Sequence, residues 1–177
     1  ATNINGKPYD LSKMYIGTVH SLCRRILNER RIFLQDFHTN PTPSLMDELD
    51  QYFHVAKSRN WQNYRSSLAI DENTDLNQAI NAIFDTQRTS KHSAVTSSIS
   101  FFNRCSEECI DPQNAIQRLL HPDDALLSFF QSNGIELDQL IQAMMLYQSY
   151  RDSLKRNEKL RSTDFSLLQQ EAYNVLM

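Results

Sequence analysis

Apolar residues recur along most of this chain at separations of three and four, the spacing that lines one face of an α-helix. Val19, Leu22, Cys23, Ile26 and Leu27 set that period from Thr18 to about Arg31. Just before it the pattern differs. Met14, Tyr15 and Ile16 form a short apolar run ending at Gly17, as a buried strand of a parallel sheet does. The expected order is therefore a strand at 14–18 feeding a helix at 19–31. A break at His38-Thr39-Asn40-Pro41 closes this unit. Thr42 as N-cap and Pro43 at the first helical position predict a helix to about Lys57, with Leu45, Met46, Leu49, Tyr52, Phe53 and Ala56 inward. Further helices are expected from Asp75 to about Arg88, around Val95, Ile99, Phe102 and Cys109, and from Asp111-Pro112 to about Leu120. One carrying Leu126, Leu127 and Phe130 stops at Asn133-Gly134. The longest is expected from about Glu136 to Asn157, with Leu137, Leu140, Ile141, Met144, Met145, Tyr147 and Leu154 inward. Ser162-Thr163-Asp164 caps the last, whose apolar residues are Phe165, Leu167, Leu168, Ala172, Tyr173 and Leu176.

Composition supports a mainly α fold, since three glycines and five prolines in 177 residues leave few places to break helices. The length and 40% hydrophobic content suit one ordinary domain with a core. Lys and Arg number 18 against 21 Asp and Glu, a net charge of −3, so any nucleic-acid contact must be a local patch. No apolar run reaches the 18 or so residues of a membrane span, and no signal-peptide pattern opens the chain. The expected location is cytoplasmic, with no membrane partner. Cys23, Cys105 and Cys109 are odd in number and form no CxxC pair, which favours buried thiols over a disulfide framework or a metal site. The start at Ala1 and the apolar end at Val175, Leu176 and Met177 suggest a piece of a longer protein.

No catalytic residue is expected. His20 and Ser21 are neighbours on a helix and do not face each other, and GxSxG, HExxH and GxxxxGK[ST] patterns are all missing from the sequence. Residues 71–75 resemble the start of a calcium loop, but Leu76 stands where glycine is needed and Ala82 where the closing glutamate belongs. Three groups remain. Thr18, His20 and Ser21 sit at a helix N-terminus with unpaired backbone N–H groups, followed a turn later by Arg24 and Arg25, an arrangement that suits phosphate or serves as a plain helix cap. Lys57, Arg59 and Arg65 interleave with Trp61 and Tyr64, as single-strand sites combine backbone attraction with base stacking, unless the lone tryptophan anchors the core. Lys155 and Arg156, with Arg151, Lys159 and Arg161, form a basic helix end that complements the macrodipole or meets phosphate.

The run Ile16-Gly17-Thr18-Val19-His20-Ser21-Leu22-Cys23-Arg24-Arg25-Ile26-Leu27 resembles the Thr-Phe-His-Ser motif of UvrD/Rep-type superfamily 1 DNA helicases, with Val19 in place of the usual phenylalanine. Asp164-Phe165-Ser166-Leu167-Leu168 is similar to the family's Asp-Phe-x-x-Leu segment, and Leu45-Met46-Asp47-Glu48 followed by Tyr52-Phe53 to the start of its inserted helical subdomain. The resemblance implies that residues 1–31 are the edge of a RecA-like motor subdomain, 32–160 an inserted helical subdomain called 1B, and 161–177 a helix returning to the motor. The strand at 14–18 would then be left over from a RecA-like parallel sheet. The resemblance further implies a parent that steps along single-stranded DNA, typically 3′ to 5′, using ATP and magnesium. Walker A and Walker B would lie outside this chain, which would hold no cofactor of its own. Thr18, His20, Ser21 and Arg25 would meet the tracked strand, while Lys57, Arg59, Trp61, Arg65, Lys155 and Arg156 would be candidates for the duplex ahead. The implied partners are single-stranded and duplex DNA and the remainder of the motor. The competing expectation is an independent helical protein-interaction module.

Overall fold

The structure, a computed structural model, describes residues 16–33, 44–155 and 162–177. The chain is mainly α. In order, the described elements are α1 (Val19–Phe33), β1 (Ser44–Leu45), α2 (Glu48–Ala56), α3 (Ser58–Ser67), α4 (Leu76–Ile83), α5 (Lys91–Glu107), α6 (Pro112–Leu120), α7 (Asp124–Asn133), α8 (Leu137–Lys155), β2 (Ser162–Thr163) and α9 (Phe165–Leu176). Short polar side chains start most of them. Asp47, Asp75, Ser90, Asp111, Asp123 and Asp164 each accept a first-turn backbone N–H, at 2.7 to 3.1 Å, satisfying donors that a helix start leaves unpaired.

Helix α5 is the centre of the main core. Ala94, Val95 and Phe102 are fully buried, as are Val55 of α2, Ile80 of α4 and Leu146 of α8. The Phe102 ring stacks on Tyr150 at 4.8 Å and on Tyr147 at 5.8 Å, so three aromatics from two helices fill the middle. A smaller cluster lies apart from this core. There Cys23 and Leu27 of α1 pack against Leu168 and Ala172 of α9, with Leu45 and Val175 at its edge. Between the two, β1 and β2 pair in parallel, Ser44 opposite Ser162 and Leu45 opposite Thr163, and the Met46 N–H extends the ladder to the Thr163 carbonyl at 2.9 Å. The helical unit that leaves at Leu45 thus returns beside its own starting point.

Several details depart from the sequence expectation. Met14, Tyr15, Thr42 and Pro43 lie outside the described residues, and residues 16–18 are not strand. The second helix starts at Glu48, because β1 claims Ser44 and Leu45 and the Asp47 carboxylate accepts the Asp50 N–H at 2.8 Å. Leu49 and Phe53, expected inward, are about 60% exposed, at 62% and 61%, since α2 turns Gln51 and Val55 to the core instead. Tyr173 and Leu176 are likewise exposed. The segment after Lys57, which showed no apolar period, is helix α3, held by Asn60, Trp61 and Tyr64 on its buried side.

Cys109, expected inside the α5 helix, lies beyond its end at φ 54°. It closes the helix by a left-handed cap, in which Ile110 N–H reaches the Cys105 carbonyl and Cys109 N–H the Ser106 carbonyl. Ala69 after α3 and Asp85 after α4 do the same at φ 51° and 49°, whereas α7 uses Gly134 at 62°. A side chain in that region costs roughly 1–2 kcal/mol, partly offset by the entropy a glycine would lose. The Ala69 side chain is exposed. Ala69→Gly is accordingly expected to raise stability by about 0.5–1 kcal/mol in urea melts, and an unchanged or lower midpoint would contradict strain at this cap.

Candidate nucleic-acid interface

The polar start of α1 is built around Thr18. Its Oγ1 accepts the Ser21 N–H at 3.2 Å, and the Ser21 hydroxyl donates back to the Thr18 carbonyl at 2.8 Å. Both side chains are exposed. This cap satisfies one first-turn donor and leaves those of Val19 and His20 with no acceptor within the helix. One turn on, Arg25 Nε meets Glu29 Oε1 at 2.6 Å, a pair open to solvent and therefore weakly held.

His20 is half-buried and is gripped from α9. Its ring meets Phe165 edge to face at 4.5 Å, and its Nε2 lies 2.9 Å from the Gln169 side-chain nitrogen. Beside it opens a cavity of about 320 Å³ lined by His20, Asp47, Glu48, Glu107, Asp164 and Gln169 among others. Asp47, Glu48 and Glu107 bring carboxylates to the lining, with the Asp164 carboxyl below them in a hydrogen-bonded network, which disfavours phosphate there.

The floor of this cavity is a polar network. Asp164 is 3% exposed. Its carboxylate accepts the Leu167 N–H at 2.8 Å, the Tyr150 hydroxyl at 2.5 Å and the Gln51 amide at 3.3 Å, and the same amide nitrogen donates to Asn103 at 2.8 Å. Burial pushes the Asp164 carboxyl above its ordinary value, against the hydrogen bonds from Leu167, Tyr150 and Ser166 that favour the charge. Burial and the adjacent carboxylate together hold the Tyr150 hydroxyl well above its usual range.

The other candidates divide. Lys57 and Arg59 are exposed at the junction of α2 and α3, and Lys155 is exposed at the end of α8, while Arg156 lies outside the described residues. Trp61, by contrast, is 6% exposed, edge-on to Tyr64 at 5.8 Å and covered by Lys91, whose ammonium sits 5.2 Å from the ring and donates to the Ala56 carbonyl. Arg65 donates to the carbonyls of Asp71 and Thr74, bracing the loop between α3 and α4. The structure thus gives Trp61 and Arg65 packing and bracing positions, with no open ring face at Trp61. None of Lys57, Arg59 or Lys155 lines the cavity beside His20. The thiols are free among the described residues. Cys23 and Cys105 are buried, and burial pushes the Cys105 thiol up to about 12, which leaves it inert.

A family model for the UvrD/REP helicase N-terminal domain matches residues 2–177. The chain belongs to that family. No curated protein and no solved structure matched it. Membership of the UvrD/REP family implies an ATP-dependent helicase, and the nucleotide brings magnesium with it. The described residues do not fit such a group: no three His, Cys, Asp or Glu side chains among them converge as a cation site, and the sequence holds no GxxxxGK[ST] loop. No helix among the described residues is long and apolar enough to cross a membrane.

Gln169 and Gln51 are the site residues that the sequence pattern did not single out. A signal for Gln169 exists. Phe165, Leu168 and Ala172 form one face of α9, and Gln169 is a lone amide within that stripe.

The Asp164 shift carries a pH dependence whose sign is fixed. A carboxyl whose pKa rises on folding above the ordinary 3.8 holds its proton more tightly in the folded chain. Its contribution is therefore full below that value and is lost as pH rises through the folded pKa. Asp164→Asn removes this slope. Relative to the parent sequence, the variant is expected to gain stability in urea melts as pH rises above about 4, and parallel profiles would show that Asp164 is not perturbed.

Proposed function

We propose that this chain is the strand-contacting, non-catalytic portion of an ATP-dependent DNA helicase, comprising a helical insertion of the 1B type with pieces of the first motor subdomain at its base. The observation that carries the reading is the constellation of exposed Thr18 and Ser21 with half-buried His20 at the start of α1, in a chain matched to the UvrD/REP family over residues 2–177. Phosphate oxygens are acceptors. The Thr18 and Ser21 hydroxyls hold the cap, and the constellation offers an imidazole N–H and first-turn backbone N–H groups, with Arg25 one turn away supplying positive charge. These contacts touch backbone and not base edges, so they grip any sequence, as a translocating motor requires.

The pairing of β1 with β2 supports an insertion, with its near end at Leu45 where the resemblance implied residue 32. Residues 46–161 leave and rejoin the base at adjacent positions, the geometry of a unit inserted into another fold. Lys57, Arg59 and Lys155 are exposed cations on that unit and are the residues we assign to duplex ahead of the fork, with Arg156 next in sequence. Trp61 and Arg65 hold the α3 end of the unit together and so act on DNA only through its shape. Translocation is assigned the 3′ to 5′ direction, and ATP with magnesium is bound by parts of the parent beyond this chain.

Two measurements test the proposal. In the full-length protein, His20→Ala with Ser21→Ala is expected to weaken single-strand affinity at least about tenfold, the size of one lost hydrogen bond to a charged oxygen. Unchanged affinity together with unchanged DNA-stimulated ATP hydrolysis would remove the site. The purified chain alone is expected to bind single strands weakly and salt-sensitively and to hydrolyse no ATP. Turnover that survives a control for contaminating ATPases would overturn the non-catalytic assignment.

A further inference from the structure

We propose that Gln169 is a positioning residue for His20, fixing which ring nitrogen carries the proton and so which atom is offered to a phosphate oxygen. The inference rests on the strand-contacting role given to His20 above and extends it to a residue on another helix. A neutral imidazole has one N–H and one bare nitrogen, and only the N–H helps to bind an acceptor such as phosphate. In the structure the Gln169 side-chain nitrogen faces His20 Nε2 at 2.9 Å. An amide nitrogen only donates, so with the Gln169 side chain in this orientation the ring nitrogen it meets is the bare one. The proton then belongs on Nδ1, and Nδ1–H is the free donor. The Phe165 ring, edge-on at 4.5 Å, fixes the plane in which that donor lies.

The surroundings give the arrangement a direction. Asp47, Glu48, Glu107 and Asp164 line the same cavity as His20, and Thr18 and Ser21 are exposed on its own helix. A phosphate is repelled from the cavity and met by donors at the helix start. An imidazole free to exchange its proton between nitrogens would spend part of its time with a bare Nδ1 and no donor there for a phosphate oxygen. Gln169 removes that state, and the helix that carries it begins at the capped Asp164, so the buried network sets the height of the amide as well.

The test uses the full-length protein labelled with ¹⁵N-histidine, the His20 signals being those lost in His20→Ala. The expected spectrum of the parent sequence has the proton on Nδ1 and a bare Nε2. Gln169→Met keeps the length and volume of the side chain but not its donor. It is expected to shift the ring toward the Nε2–H form and to weaken single-strand affinity about fivefold, with no further loss when His20 is already alanine. Gln169→Asn, which withdraws the amide by one methylene, serves the same readouts should the methionine variant fail to fold. A parent ring carrying its proton on Nε2, an unchanged affinity in the variants, or a loss that persists in the His20→Ala background each overturns the proposal. Failure of the strand-contacting role itself reads differently, as a His20→Ala variant that binds single strands normally while the Nδ1–H form and its dependence on Gln169 remain.

Discussion

One buried carboxylate holds the two parts of this chain in register. Asp164 caps α9 through the Leu167 N–H, accepts the Tyr150 hydroxyl from α8 and the Gln51 amide from α2, and directly follows β2 in sequence. Leu167 is three residues away and Tyr150 fourteen, but the Gln51 bond spans 113 residues, so it closes a long loop and is won only when the helical core has formed. The core supplies the reason the bonds are well made. Phe102 stacks on the same Tyr150 whose hydroxyl meets Asp164, so the aromatic centre of the helical unit and the start of α9 share one side chain. A charge buried in such a place is costly unless its hydrogen bonds are satisfied, and the upward push on its pKa is the residue of that cost.

What the sequence made legible follows from which forces are local. Helix starts were readable because an Asp or Ser side chain bonds a backbone N–H two or three residues on, as at Asp75, Asp111 and Asp164. Their ends were harder, because Ala69, Asp85 and Cys109 take left-handed backbone without being glycine, and only Gly134 announced its cap. The inward face of α2 was misjudged at Leu49 and Phe53 because a polar residue, Gln51, took the buried position to bond Asn103, Tyr150 and Asp164, partners that no local pattern can reveal. Helix α3 was hidden for a related reason: its buried face is Asn60, Trp61 and Tyr64, with the Asn60 amide donating to the His54 carbonyl. The basic and aromatic character of that stretch suggested stacking on bases, whereas Lys91 and Tyr64 already occupy the ring.

The candidate site was half legible in the same sense. Thr18, His20, Ser21 and Arg25 stand out as a motif because they are close in sequence, and the structure places Thr18 and Ser21 on the surface as a cap. What completes the site comes from 149 residues away, where Gln169 meets His20. Neither helix alone would order the histidine. Helix α1 brings the ring to the surface, and α9 supplies the edge of Phe165 and the amide of Gln169.

The chain of dependence therefore runs from the helical unit to the proposed strand contact through very few atoms. Helices α1 and α9 share a small apolar cluster, Cys23 and Leu27 against Leu168 and Ala172, beside the His20 contacts with Phe165 and Gln169. Burial of these four side chains contributes roughly 5 kcal/mol, while Leu167 joins α9 to the main core at its other face. A displacement of the helical unit would reach α9 through Tyr150 and Asp164, and α1 through α9. The relative position of Gln169 and His20 is where such a displacement would be felt. Under the proposed assignment of duplex to the inserted unit and single strand to its base, that position joins the two contacts. It needs no signal beyond two hydrogen bonds and one aromatic edge.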